Sequence, residues 1–163
     1  MSVPRSDPIP STPTRAGLSA MPATTTGAAR LVLELYAIYN DRAFDRGAAM
    51  VAPDFELQAM PTGELFRGTD GYRAFVGIWA AAFPDSRVDI RTVVAEGDSV
   101  CVEFVGRGTH DGPFRTPGGT IPPTGRAVEI PFLDLWRVRD GVVQGGRTYF
   151  DIGTIMRQLG LLT

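Results

Sequence analysis

The apolar positions of this chain change period once, from helical spacing in the first half to strand alternation in the second. From Gly27 to about Asn40, Leu31, Leu35, Ile38 and Tyr39 recur at i, i+3 and i+4, joined by Val32 and Tyr36. That stripe predicts an amphipathic helix. A shorter helix is expected from about Ala43 to Met50, ending before Pro53, and a short strand from Phe55 to Met60, stopped by Pro61-Thr62-Gly63. Gly68-Thr69-Asp70 marks the next helix start, with Thr69 or Asp70 as the cap. Tyr72, Phe75, Val76, Trp79 and Phe83 form its apolar face, and Pro84 ends it.

Beyond Pro84 the pattern alternates. Val88 to Ala95 and Val100 to Gly108 read as strands joined by a Glu96-Gly97-Asp98 turn. A Gly/Pro-rich loop is expected over His110 to Gly125. Ala127 to Arg137 and Val142 to Phe150 then form a second strand pair around Arg139-Asp140-Gly141. Asp151 stands where a cap belongs for a last helix, Ile152 to Leu159, closed by Gly160. This order predicts an α+β domain over 27–163: a curved antiparallel sheet wrapped around about three N-terminal helices, with a short C-terminal helix.

Composition narrows the function classes. In 163 residues, 44% are hydrophobic and 21% charged, an ordinary globular balance. Net charge is −2, and the 16 basic residues, all arginine, are scattered rather than striped, so no nucleic-acid partner is expected. Cys101 is the only cysteine, which rules out an internal disulfide and argues against a cysteine-based metal site. The first 26 residues are rich in Pro, Ser and Thr and read as a disordered tail without a signal-peptide core. No stretch approaches a membrane span, so the expected location is cytoplasmic.

The motifs lie in the C-terminal half: Thr109-His110-x-Gly112-Pro113, Pro122-Pro123-Thr124-Gly125-Arg126, Arg137-x-x-Asp140-Gly141 and Gln158-Leu159-Gly160. Together they resemble the SnoaL-like polyketide cyclases, a branch of the nuclear-transport-factor-2-like superfamily, over roughly residues 28 to 162. The resemblance implies a cone made by a bent sheet and three helices, with an apolar cavity inside, and commonly a homodimer through the outer sheet face. It also implies ring closure by an intramolecular aldol reaction with no metal or organic cofactor. Arg147-x-Tyr149-Phe150-Asp151 is similar to the last strand of limonene-epoxide-hydrolase-like enzymes as well. The hydrolase set is incomplete, because Phe104, Gly106, Leu57 and Ala59 stand where its Arg, Asp, Tyr and Asn would be. The chain departs from the cyclase pattern too: Thr148 occupies the place of the usual acid/base aspartate, and Asp134 the place of the cyclase histidine.

Alternation puts Ile130, Phe132, Asp134 and Trp136 on one face. The cyclase correspondence points that face into the cavity. A carboxylate among Phe132, Trp136 and Phe104 would be poorly solvated, its pKa raised, and suited to moving a proton. The other reading is that Asp134 pairs with an arginine or a hydroxyl and only orders the sheet. His110, the only histidine, could polarise substrate oxygen or brace its loop. Thr148 can orient an oxygen but cannot exchange protons at neutral pH. Tyr36, Leu57, Ala59, Phe75, Trp79, Phe104, Phe132 and Trp136 are the expected pocket walls. The expected partner is a small, apolar, polyketide-like carbonyl substrate. The functions left open are a cofactor-free cyclase, a ketosteroid-isomerase-like isomerase, and a non-catalytic binding protein of the same fold.

Overall fold

A computed structural model describes residues 26–162. The expected tail over 1–26 lies outside them except for Thr26, whose side chain accepts from the Ala29 amide at 3.1 Å and caps α1 (Gly27–Asn40). Then follow α2 (Phe44–Ala48), β1 (Val51–Ala59), β2 (Glu64–Arg67), α3 (Gly68–Ala82), β3 (Arg87–Glu96) and β4 (Ser99–Thr109). The chain continues through β5 (Phe114–Thr116), β6 (Gly119–Ile121), β7 (Ala127–Arg139), β8 (Val142–Phe150) and α4 (Ile152–Gln158). The main sheet runs β2-β1-β8-β7-β4-β3, and β5 and β6 form a separate hairpin. The expected α+β architecture is present, as a bent, unclosed sheet cupping helices.

Several details differ from the expectation. The sheet is mixed, because β1 runs parallel to β8 while every other pair is antiparallel. β1 begins at Val51 rather than Phe55 and passes through Pro53, which falls where the register to β8 shifts and no ladder donor is needed. β2 carries too few apolar residues to announce itself. The hairpin β5–β6 lies inside the segment expected as loop, masked by Pro117-Gly118 at its turn. Neither Thr69 nor Asp70 caps α3: Arg67 holds the cap position without a side-chain bond, and Asp70 lies in the first turn, favourable to the helix dipole. Asp151 does cap α4, accepting from the Gly153 amide at 2.8 Å.

β7 shows why the sheet can hold a site. Its residues alternate strictly, with Val128, Ile130, Phe132, Asp134, Trp136 and Val138 buried and their neighbours turned outward. The apolar row sits against α1 and α3, and Asp134 interrupts it at the centre. Close backbone approach sets the sheet's shape at Gly145, whose φ of +148° and contact with the Glu56 carbonyl leave no space for a Cβ. Gly145→Ala is therefore expected to cost about 2–4 kcal/mol of stability. Gly97→Ala, at a φ of +56° with open space around it, should cost about 1–2 kcal/mol. Chemical denaturation of both variants checks this, and equal losses would contradict the close-approach explanation.

Candidate active site

Asp134 is 2% exposed and lies directly opposite Val102 on β4 and Thr148 on β8. Helix α1 brings Tyr36 across it, and the Tyr36 hydroxyl donates to Asp134 Oδ2 at 2.7 Å. Trp136, two residues along the same face of β7, donates from Nε1 to Tyr36 Oη at 2.8 Å. A buried chain of donors, indole to phenol to carboxylate, therefore ends on one acid. Among the described residues no arginine pairs with that acid.

Asp134 is thus a charge with a polar partner but, among the described residues, no countercharge. Burial pushes its carboxyl from 3.8 up to about 6, against smaller lowering pulls from Thr148 and Tyr36. Burial, and then the neighbouring Asp134 charge, hold the Tyr36 phenol well above its ordinary value, so it stays a donor. Thr148 is fully buried across from Asp134, and its nearness helps hold the carboxyl pKa down. Yet neither Thr148 Oγ1 nor Asp134 Oδ1 makes a hydrogen bond of good geometry, so the two are adjacent but not locked.

Beside Asp134 lies a cavity of about 90 Å³. Phe104 and Phe132 stack on one wall with centroids 4.9 Å apart and planes 4° from parallel, and Tyr36 tilts against Phe104 at 5.0 Å. Phe75 and Trp79 of α3 form the facing wall, and Asp134 and Trp136 also line the space. Ser86, Arg87 and Arg107 border it on the strand side, where Tyr39 Oη and Ser86 Oγ are 2.7 Å apart. The surroundings are mostly apolar, with one carboxylate at Asp134 and a polar edge at Ser86, Arg87 and Arg107. That arrangement can hold an apolar ligand beside a group able to exchange a proton.

The other sequence-predicted residues fall elsewhere. Leu57 is fully buried but does not border this cavity, and Ala59 lines a second, smaller hollow. His110 is fully buried outside the cavity wall. Its backbone amide donates to the Arg126 carbonyl, its carbonyl accepts from Thr124 and Gly125, and its Nδ1 lies 3.0 Å from Thr124 Oγ1. The Thr124 amide also donates to Nδ1 at 3.3 Å, which puts the ring proton on Nε2. Burial holds the His110 pKa below its usual value. That Asp134 meets a hydroxyl was one of the two expectations; that the hydroxyl belongs to Tyr36, itself held by Trp136, was not anticipated. The available signal was a tyrosine hydroxyl on an apolar helix face, which needs a buried partner.

Among the described residues no cluster of three or more His, Cys, Asp or Glu could hold a metal ion. Nor is any described helix long and apolar enough to cross a membrane.

A bent, unclosed sheet cupping helices around an apolar cavity defines the nuclear-transport-factor-2-like class of α+β folds. Solved structures agree. A candidate SnoaL-like polyketide cyclase from Jannaschia sp. CCS1 superposes with a TM-score of 0.74 at 26% identity, over 90% of this chain and 100% of that one. IdmH of Streptomyces antibioticus, a candidate polyketide cyclase, gives 0.67 at 30% identity, over 82% of this chain and 98% of that one. TsrD of Streptomyces laurentii gives 0.71 at 26% identity, over 83% and 96%. No curated protein matches the sequence at a significant level. The family model described as SnoaL-like polyketide cyclase matches residues 29–159, and the chain belongs to that family.

The raised Asp134 pKa carries a stability consequence with a definite sign. Its folded value lies above its unfolded one, so its contribution is fully present below pH 3.8, falls as pH rises toward about 6, and is level above that. At 1.36 kcal/mol per unit the span is about 3 kcal/mol. Asp134→Asn keeps an acceptor for Tyr36 and removes the titration. His110, with its lowered pKa, acts in the opposite direction in both proteins and cancels from the difference. Wild type should therefore lose about 2–3 kcal/mol relative to Asp134→Asn between pH 4 and 7 in denaturant titrations. A pH-independent difference would contradict the buried-carboxylate description.

Proposed function

We propose that this protein is a cofactor-independent polyketide-cyclase-type enzyme in which Asp134 is the acid/base group. The observation that carries the reading is the isolated Asp134 carboxylate, raised to about 6, on the wall of an apolar aromatic cavity. A base of that pKa is largely ionised at neutral pH, yet strong enough to take a proton activated by a carbonyl. The substrate would be a flat, largely apolar molecule with two carbonyl groups.

In this mechanism Asp134 accepts a C–H proton next to one carbonyl, leaving an enolate. The enolate carbon adds to the second carbonyl carbon of the same molecule, forming the ring C–C bond. The resulting alkoxide recovers the proton from the Asp134 carboxylic acid, so no oxidant or reductant is needed. Tyr36 has a role beyond lining the pocket. Once Asp134 is protonated its oxygen is a weaker acceptor, and the Tyr36 hydroxyl, still anchored by Trp136, can turn toward the developing oxyanion. Thr148 lies beside the second carboxyl oxygen and helps hold the Asp134 pKa down, and His110 braces the loop that carries β5 and β6. An isomerase that returns the proton to another carbon would use the same base. The proposal includes a homodimer through the outer sheet face. There Leu133 and Tyr149 are cross-strand partners exposed by 42% and 38%, an apolar pair that a second copy would cover.

The test is turnover of cyclisable diketo esters by wild type, Asp134→Asn and Tyr36→Phe across pH 5–9. Wild-type kcat/KM should rise through an apparent pKa near 6, and Asp134→Asn should lose about 10²- to 10⁴-fold. Tyr36→Phe removes a bond that lowers the Asp134 pKa, so its rising limb should move to higher pH. Equal rates for wild type and Asp134→Asn would remove Asp134 from the mechanism. Tight binding without turnover by wild type would identify a binding protein instead.

A further inference from the structure

The cavity beside Asp134 has a neighbour. A second hollow of about 30 Å³ lies under the β5–β6 hairpin, between Ala59 of β1, Phe150 of β8 and Met156 of α4. Two side chains, Phe75 and Trp79, border both spaces. Trp79 is the larger, and its indole meets Phe132 and Phe150 edge-on, each at 5.2 Å, with Phe114 of the hairpin at 5.4 Å. Phe132 belongs to the first space, whereas Phe150 and Phe114 belong to the second. The indole therefore stands between the two chambers, and it is only half-buried although aromatic rings surround it. The hairpin roof is held in place: the Gly112 amide donates to the Ala82 carbonyl at 3.1 Å, and a Cβ at Gly112 would collide with the Ala81 carbonyl.

We propose that Trp79 is the specificity-determining wall of this site, dividing one apolar space into a reaction chamber at Asp134 and a tail chamber beneath the hairpin. It thereby limits the length of flat ligand that the protein accepts. The tail chamber's walls are mostly apolar and aromatic, with Thr62, Glu64, Arg115 and Thr116 also in its lining. At about 30 Å³ it is too small for a ring while the indole stands, and truncating Trp79 would join it to the reaction chamber as room for the far ring of an extended polycyclic molecule. Which molecule reacts rests on the cyclase reading; the size limit itself rests only on the walls. The two therefore separate in a binding experiment that involves no turnover.

The experiment measures equilibrium binding of a two-ring hydroxynaphthoquinone and a three-ring dihydroxyanthraquinone by calorimetry. Wild type, Trp79→Leu and Trp79→Ala are compared, each also in an Asp134→Asn background to remove proton chemistry. Wild type should favour the two-ring ligand, and both Trp79 variants should shift the ratio at least tenfold toward the three-ring one. The shift should be the same in the Asp134→Asn background, so a failed cyclase assay leaves this result standing. Ala59→Leu, which fills the tail chamber from its far side, should cancel the gain when combined with Trp79→Ala; a merely loosened interior would not respond this way. Trp79→Phe should give a smaller shift in the same direction and covers the case in which the larger truncations do not fold. A ratio unchanged within twofold in the folded variants, a gain that survives Ala59→Leu, or binding of neither ligand would each overturn the proposal.

Discussion

A carboxylate taken out of water, with no countercharge among the described residues, organises the centre of this domain. Moving such a group into an apolar interior is expensive unless polar groups meet it. Among the described residues the one well-formed bond comes from Tyr36, whose hydroxyl is itself anchored by the Trp136 indole. Three side chains from two elements thus share a directional network, and the remaining imbalance is expressed as a carboxyl pKa near 6. Position of helix α1 against β7, aromatic stacking on the cavity wall and the placement of the empty space all have to be compatible with that network.

The fold meets this requirement through alternation. β7 sends every second side chain inward, so one acid in the row of Ile130, Phe132 and Trp136 is surrounded by apolar neighbours on its own strand. β4 and β8 flank it and offer Val102 and Thr148 at the same level. Replacing Asp134 with a neutral residue of similar shape should relieve the charge at neutral pH. That is the pattern expected where a local rule of stability is broken at a functional site.

Much of this was legible in the sequence because it depends on period. The strict alternation of β7, the Asp140-Gly141 turn and the Asp151 cap are local features, and the chain states them in consecutive residues. What was not legible depends on distance or brevity. The parallel pairing of β1 with β8 joins segments far apart in the chain, and β2, β5 and β6 are too short to show a period. The Tyr36–Asp134 bond spans 98 residues, so a hydroxyl partner for the acid could be expected but not assigned to the tyrosine on the helix face. His110 illustrates the reverse limit: its setting suited polarising a substrate oxygen or bracing its loop, and the structure gives it loop contacts with Thr124, Gly125 and Arg126. Leu57 and Ala59 show how strand parity fixes the face of a residue but not the chamber it borders.

The most direct measurement is the titration of the Asp134 carboxyl itself, by carbon-13 NMR of the protein labelled at aspartate side-chain carboxyl carbons, with Asp134→Asn giving the assignment. The expected result is a midpoint near 6, well above the exposed aspartates. A midpoint at or below about 4, the value of a solvated aspartate, would contradict the description of Asp134 as a desolvated acid and the chemistry built on it.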